Sequence, residues 1–119
     1  MAHPVIGLWE VTVSYEDKEF LTVHNYLPGG AVIIDAGIFV ASGLWEPTGN
    51  RSLRMKSLRP IVTGTLVDRE FHGWQEASSE ATVGEDDTLA TETQFDAVDE
   101  DGQRRTGTVR TRGERVSLG

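Results

Sequence analysis

The chain contains no cysteine. That removes disulfide staples and thiolate metal ligands together, and it fits a reducing compartment. Long apolar runs are missing as well. Residues 31–34 are ended by Asp35, far short of the roughly 20 residues a membrane helix needs. The N-terminus, Met1-Ala2-His3-Pro4-Val5-Ile6-Gly7, carries neither the basic segment nor the apolar stretch of a signal peptide. The expectation is a cytoplasmic protein with no membrane partner. Basic residues are scarce: 19 acidic against 11 basic side chains give a net charge of −8. An anionic surface repels phosphate backbones and no basic stripe offsets it, which argues against a nucleic-acid partner. A helical period is absent throughout.

What is present is alternation, punctuated by Gly, Pro, Asn and Asp. The 119 residues suffice for one domain, 1–119. The pattern predicts eight strands, at 6–15, 19–27, 31–35, 40–46, 51–58, 70–83, 88–98 and 103–116. In the first, Trp9, Val11, Val13 and Tyr15 oppose Glu10, Thr12 and Ser14. In the fifth, Leu53 and Met55 oppose Arg54 and Lys56. In the seventh, Leu89, Thr91, Thr93, Phe95 and Ala97 oppose Ala90, Glu92, Gln94 and Asp96. In the eighth, Gly107, Val109, Thr111 and Gly113 share a face.

One apolar and one charged face per strand is the pattern that closure resolves, since a barrel buries every apolar face and leaves no edge. The fold class expected is all-β, an eight-stranded antiparallel up-and-down barrel. In that order alternate connections lie at the same end. Pro28-Gly29-Gly30, 47–50 and 84–87 gather at one end, all tight and polar. The more apolar connections 36–39 and 59–69 gather at the other, with the short turns at Glu16-Asp17-Lys18 and Asp99-Glu100-Asp101-Gly102. One end is sealed, and the other is a mouth with a lid.

Gly7-Leu8-Trp9 resembles the Gly-x-Trp signature on the first strand of lipocalins and related calycin barrels. The resemblance implies a Trp packed across the closed end, a floor to which Trp9, Tyr26 and Trp45 contribute. The chain departs from true lipocalins in having no signal peptide, no disulfide and no C-terminal helix. It is more similar to compact lipocalin-like barrels of bacteria. Allene oxide cyclases and polyketide cyclases use barrels of similar outline, but none of their motifs is present and no catalytic residue carries over. Gly-Leu-Trp-Glu occurs twice, at Gly7 and at Gly43, by half-barrel duplication or by coincidence.

Candidate chemistry is sparse. His3, His24 and His72 show no metal-ligand spacing, so neither a metal nor a cofactor is expected. No Gly-x-Ser-x-Gly elbow is present, and the glycine-containing runs are hairpin turns without a following helix. Alternation puts Glu10, Glu76, Glu80, Glu92 and Asp96 outside. The interior is then lined by Val11, Val13, Tyr15, Leu53, Met55, Phe71, Gln75, Thr93 and Phe95, with no acidic residue. On strand two either Phe20, Thr22, His24 and Tyr26 or Leu21, Val23, Asn25 and Leu27 face inward. The first set is favoured because Tyr26 then joins the floor. His24 and Tyr26 would be the polar pair able to orient or protonate a ligand, and the catalytic candidates if the protein is an enzyme. Trp74 and His72 fall outside on strand six. An exposed Trp is an anchor for a homodimer, or lies under a neighbouring loop.

An eight-stranded barrel is either plugged or holds one small ligand, and small lining residues favour a hollow. The expected function is binding of a small, largely apolar molecule. The alternative is a cofactor-independent cyclase or isomerase on a polyketide-like or fatty-acid-derived substrate, closing a ring by holding its reactive ends together.

Overall fold

The computed structural model describes residues 2–65, 67–98 and 101–118. Its strands are β1 (Gly7–Tyr15), β2 (Lys18–Tyr26), β3 (Ala31–Asp35), β4 (Val40–Pro47), β5 (Ser52–Gly64), β6 (Arg69–Val83), β7 (Thr88–Val98) and β8 (Arg104–Arg115). Each pairs antiparallel with its neighbour in sequence, and β8 returns to β1, closing an up-and-down barrel. Alternation is the cause: Trp9, Val11 and Val13 are buried on β1 while Glu10 and Ser14 are exposed, and closure removes both sheet edges. Asp99 and Glu100, half of the turn read between β7 and β8, lie outside the described residues.

The closed end is built around Trp9. Residues 3–6 run beneath it, and the indole N–H donates to the Val5 carbonyl at 2.8 Å. The Arg115 guanidinium lies 4.4 Å from the Trp9 ring centroid. It donates to the carbonyls of Ile6, at 2.9 Å, and of Pro4, so it ties the entering segment to the end of β8. His3 reaches the carbonyls of Gly49 and Ser52 and stacks at a tilt on Trp45. Val5, Trp9, Val11, Tyr26, Leu53 and Leu89 are almost entirely buried. This end is solid.

The two copies of Gly-Leu-Trp-Glu serve different needs. Both indoles reach the floor, Trp45 donating to the Leu27 carbonyl at 2.9 Å. Gly43, however, lies against β5 so closely that a Cβ there would stand 2.1 Å from the Lys56 carbonyl oxygen. Backbone, unlike a flexible side chain, cannot give way. Gly43→Ala is therefore expected to cost about 1–3 kcal/mol by forcing β4 away from β5. Gly29→Ala, with open space around its Cβ, is expected to change stability by less than about 0.5 kcal/mol. Urea unfolding of the two variants checks the contrast.

The opposite end differs from the sequence expectation in two respects. The connection read at 59–69 is mostly strand. β5 continues to Gly64 and β6 begins at Arg69, with Gly64 opposite Arg69. Pro60 does not end β5, because the pairing of β5 with β4 ends at Ser42–Leu58 and an unpaired strand edge accepts a residue without an N–H. The last pair of β6 with β7 is Glu76–Asp96, so beyond it β5 and β6 stand as a two-stranded ribbon above the mouth.

The second difference is a bulge in that ribbon. Ile61 faces Gly73 but Val62 faces Phe71, which leaves His72 as the extra residue. Gly73 takes φ 126°, a conformation that side-chain-bearing residues rarely adopt. The slip reverses the faces read from simple alternation. Phe71 moves outside, 58% exposed, with its ring 5.5 Å from that of Trp74. His72 is half-buried, and its Nε2 lies 2.7 Å from Thr63 Oγ1. Phe71 is thus not an interior residue, and His72 is not an outward one.

Candidate functional site

Above the floor the barrel is hollow. A cavity of about 110 Å³ rises from Met55, Ser79 and Thr111 to Phe20, Phe39 and Arg59 at the mouth. Strand two presents the face with Thr22, His24 and Tyr26, all buried. The aligned pairs His24–Ile34 and Tyr26–Val32 carry that face onto β3. Ile34 and Ala41 complete this side, opposite Gln75 and Ala77 of β6. Among the described residues, no Asp or Glu lines the cavity.

The residues expected inside separate into four places. Val13, Phe20, Thr22, His24, Met55, Gln75 and Thr93 line the cavity. Val11 and Leu53 are fully packed into the floor cluster with Trp9, Tyr26 and Trp45. Tyr15 and Phe95 meet edge to face at 5.5 Å and do not line the cavity. Tyr15 is partly exposed at the end of β1, so the pair forms rim rather than lining. Phe71 is outside, for the reason given above. Sequence reasoning missed Ser57 and Arg59. Their signal was the continued alternation Leu53, Met55, Ser57, Arg59, Ile61, of which Arg59 fell outside the strand read at 51–58.

Most hydroxyls of the lining are spent on the protein itself. Thr22 Oγ1 donates to the Val11 carbonyl at 3.1 Å. Ser79 pairs with Thr93 at 2.6 Å, and Thr91 with Thr111. His24 differs. Its Nδ1 lies 3.2 Å from the Tyr26 hydroxyl, which also lies 3.8 Å from Met55 Sδ. Nε2 has no hydrogen-bonding partner among the described residues. Yet no fully buried side-chain nitrogen or oxygen among them is left unsatisfied. In a residue only 4% exposed, that nitrogen therefore opens onto the cavity. The same argument places the Ser57 hydroxyl there.

Burial sets the charge state of this pair. Desolvation lowers His24 to about 4 and pushes the Tyr26 hydroxyl well above its ordinary value. At neutral pH both are uncharged. His24 is a neutral hydrogen-bonding group on an apolar wall.

At the mouth Arg59 stands opposite Gln75. Its Nε donates to Gln75 Oε1, and its guanidinium lies 3.8 Å from the Phe39 ring centroid. Burial lowers its pKa below the ordinary arginine value, though an arginine keeps its charge at any physiological pH.

A broader concavity, about 1010 Å³, runs along the outside of β4 to β7. Exposed side chains, among them Leu44, Glu46, Arg54, Lys56, Glu80 and Glu92, line it. The interior cavity is lined mostly by buried and half-buried side chains and the outer one largely by exposed, polar and charged ones, so the smaller interior cavity is the candidate site. The three histidines occupy separate places: the closed end, the cavity and the ribbon. No group of three metal-binding side chains forms among the described residues. Among them, too, no helix is long and apolar enough to cross a membrane.

Fold and site together define a closed eight-stranded antiparallel barrel, solid at one end, with a small hollow towards the other that no acidic side chain lines among the described residues. No protein-family model and no curated protein sequence matches the chain.

Proposed function

We propose that this barrel binds one small, largely apolar molecule in its interior, in the manner of lipocalin-like carriers. The observation that carries the reading is the composition of the wall. Apolar side chains dominate it, most of its hydroxyls are spent on protein partners, and deep in the hollow His24 Nε2 and Ser57 Oγ have no partner among the described residues. An apolar hollow with a few convergent polar groups is the general form of a small-molecule site.

Volume limits the ligand. An engineered apolar cavity of about 150 Å³ takes one benzene, so about 110 Å³ admits a group of that size or slightly smaller. Drug-sized ligands occupy roughly 300–1000 Å³. This weighs against the alternative of a cyclase acting on a polyketide-like substrate.

A methyl-detected NMR titration with apolar molecules of graded size tests the proposal. Benzene-sized molecules are expected to shift the Met55 methyl signal, and naphthalene-sized ones to leave it unmoved. Ser57→Leu pushes a larger side chain into the hollow between the small partners Gly43 and Ala77. It is expected to weaken binding at least tenfold while the barrel stays folded. Shifts confined to outer-face residues, or none at all, would remove the interior as the site.

A further inference from the structure

We propose that the molecule held in the barrel carries a carboxylate, and that Arg59 receives this group at the mouth while the apolar remainder enters the hollow. The inference rests on the interior-binding reading and adds to it the chemical class of the ligand.

Arg59 is half-buried at the top of the cavity, at the pair where the ribbon leaves the barrel wall. Two contacts fix its plane. Gln75 Oε1 accepts from Nε, and the guanidinium lies over the Phe39 ring. Neither contact uses Nη1 or Nη2, and these have no hydrogen-bonding partner among the described residues. A fixed guanidinium edge with two free nitrogens matches the two oxygens of a carboxylate.

Charge makes the arrangement unusual. The protein carries 19 acidic residues and a net charge of −8. Arg54, Arg104 and Arg115 each have a carboxylate partner, Glu46, Asp96 and Asp87 respectively. Arg59 is more buried than Arg54 or Arg104 and has none among the described residues. A partly desolvated charge without a counter-ion is costly. Burial pulls Arg59 away from its charged form, and an arriving anion would remove that cost. The rest of the site selects which anion. A single guanidinium suits a monoanion, and the acidic surface repels multiply charged phosphates. Below Arg59 the wall is apolar, with room for a ring or a short branched chain. A small aromatic or short aliphatic monocarboxylic acid satisfies all three conditions.

The test uses benzoate, its uncharged counterpart benzyl alcohol, and phenylphosphonate, titrated into the full chain at pH 7 by calorimetry and NMR. Wild-type protein is expected to bind benzoate at least tenfold more tightly than benzyl alcohol, with the preference fading as salt is added. Arg59→Gln is expected to abolish the preference, bringing the affinities for benzoate and benzyl alcohol to within about twofold of each other. Arg59→Lys, which keeps the charge and loses the planar edge, is expected to retain only part of it. Equal affinity for benzoate and benzyl alcohol in the wild type overturns the carboxylate and leaves interior binding standing. So does a preference that survives in Arg59→Gln. Tighter binding of phenylphosphonate than of benzoate overturns the choice of anion. If none of the three binds, the interior-binding reading falls with it. Should a variant fail to fold, the wild-type ratio and its salt dependence decide alone.

Discussion

Replacing Trp9 by alanine is expected to cost the barrel about 3–5 kcal/mol, the usual range for a fully buried large aromatic. Three losses coincide at this position. The indole is completely buried in the floor cluster with Val5, Val11 and Leu89, so its removal leaves a void at the closed end. The Val5 carbonyl loses the indole N–H that satisfies it, and a buried acceptor left bare costs about 1–3 kcal/mol within that total. Arg115 loses the ring beneath its guanidinium. Domains of this kind are stable by roughly 5–15 kcal/mol in all, so the variant should unfold at far lower urea, if it accumulates at all. Trp74→Ala supplies the contrast. That ring is 54% exposed, and its loss should stay within about 0.5 kcal/mol. Similar costs for the two substitutions would show that the closed end does not hold the barrel together.

The second large effect is a pH dependence confined to His24. In the unfolded chain the imidazole titrates near 6.5, and in the barrel burial holds it at about 4. Between those values the unfolded chain binds a proton that the folded chain does not, so stability rises with pH across that window. At pH 7 the imidazole is neutral in both states and nothing is lost. The loss starts as pH falls through 6.5 and is complete below about 4. A gap of this size corresponds to about 3 kcal/mol. His24→Gln lacks the titrating group, while the carboxylates and the other histidines remain common to both proteins and cancel. Urea unfolding at pH 7 and pH 4 should therefore show the wild type losing about 3 kcal/mol more than the variant. Parallel losses would mean that His24 is hydrated in the folded state and does not face a dry hollow.

How far the sequence could be read varied with how regular the backbone is. Where alternation runs unbroken, as from Trp9 to Val13 or from Leu89 to Thr93, residue faces follow from a period of two. The barrel and its aromatic floor were legible for that reason. Strand two was ambiguous because both of its faces are apolar. Its outward set, Leu21, Val23 and Leu27, is exposed, and only pairing with Val32 and Ile34 decides the matter. Phe71 was misplaced by a single bulge, which no periodicity reveals and which puts the residues before it out of step with Gln75 and Ala77 beyond it. Arg59, next to Pro60, fell outside the strand read at 51–58. A proline in the middle of an alternating run signals a loop unless pairing with the neighbouring strand is known to have ended. Val5, His3 and Arg115 were not read as parts of the floor because its closing is a long-range contact, between residues 3–6 and the end of β8.

The central claim is that a dry hollow exists above Met55 and that a guest can enter it. Diffraction from crystals pressurised with xenon tests this most directly, since xenon settles in apolar cavities of this size and adds strong density. One xenon atom is expected inside the barrel, between Met55, Ala77 and Thr111, and Ser57→Leu should expel it. An interior without xenon in the wild type, filled by side chains from floor to mouth, would contradict the account.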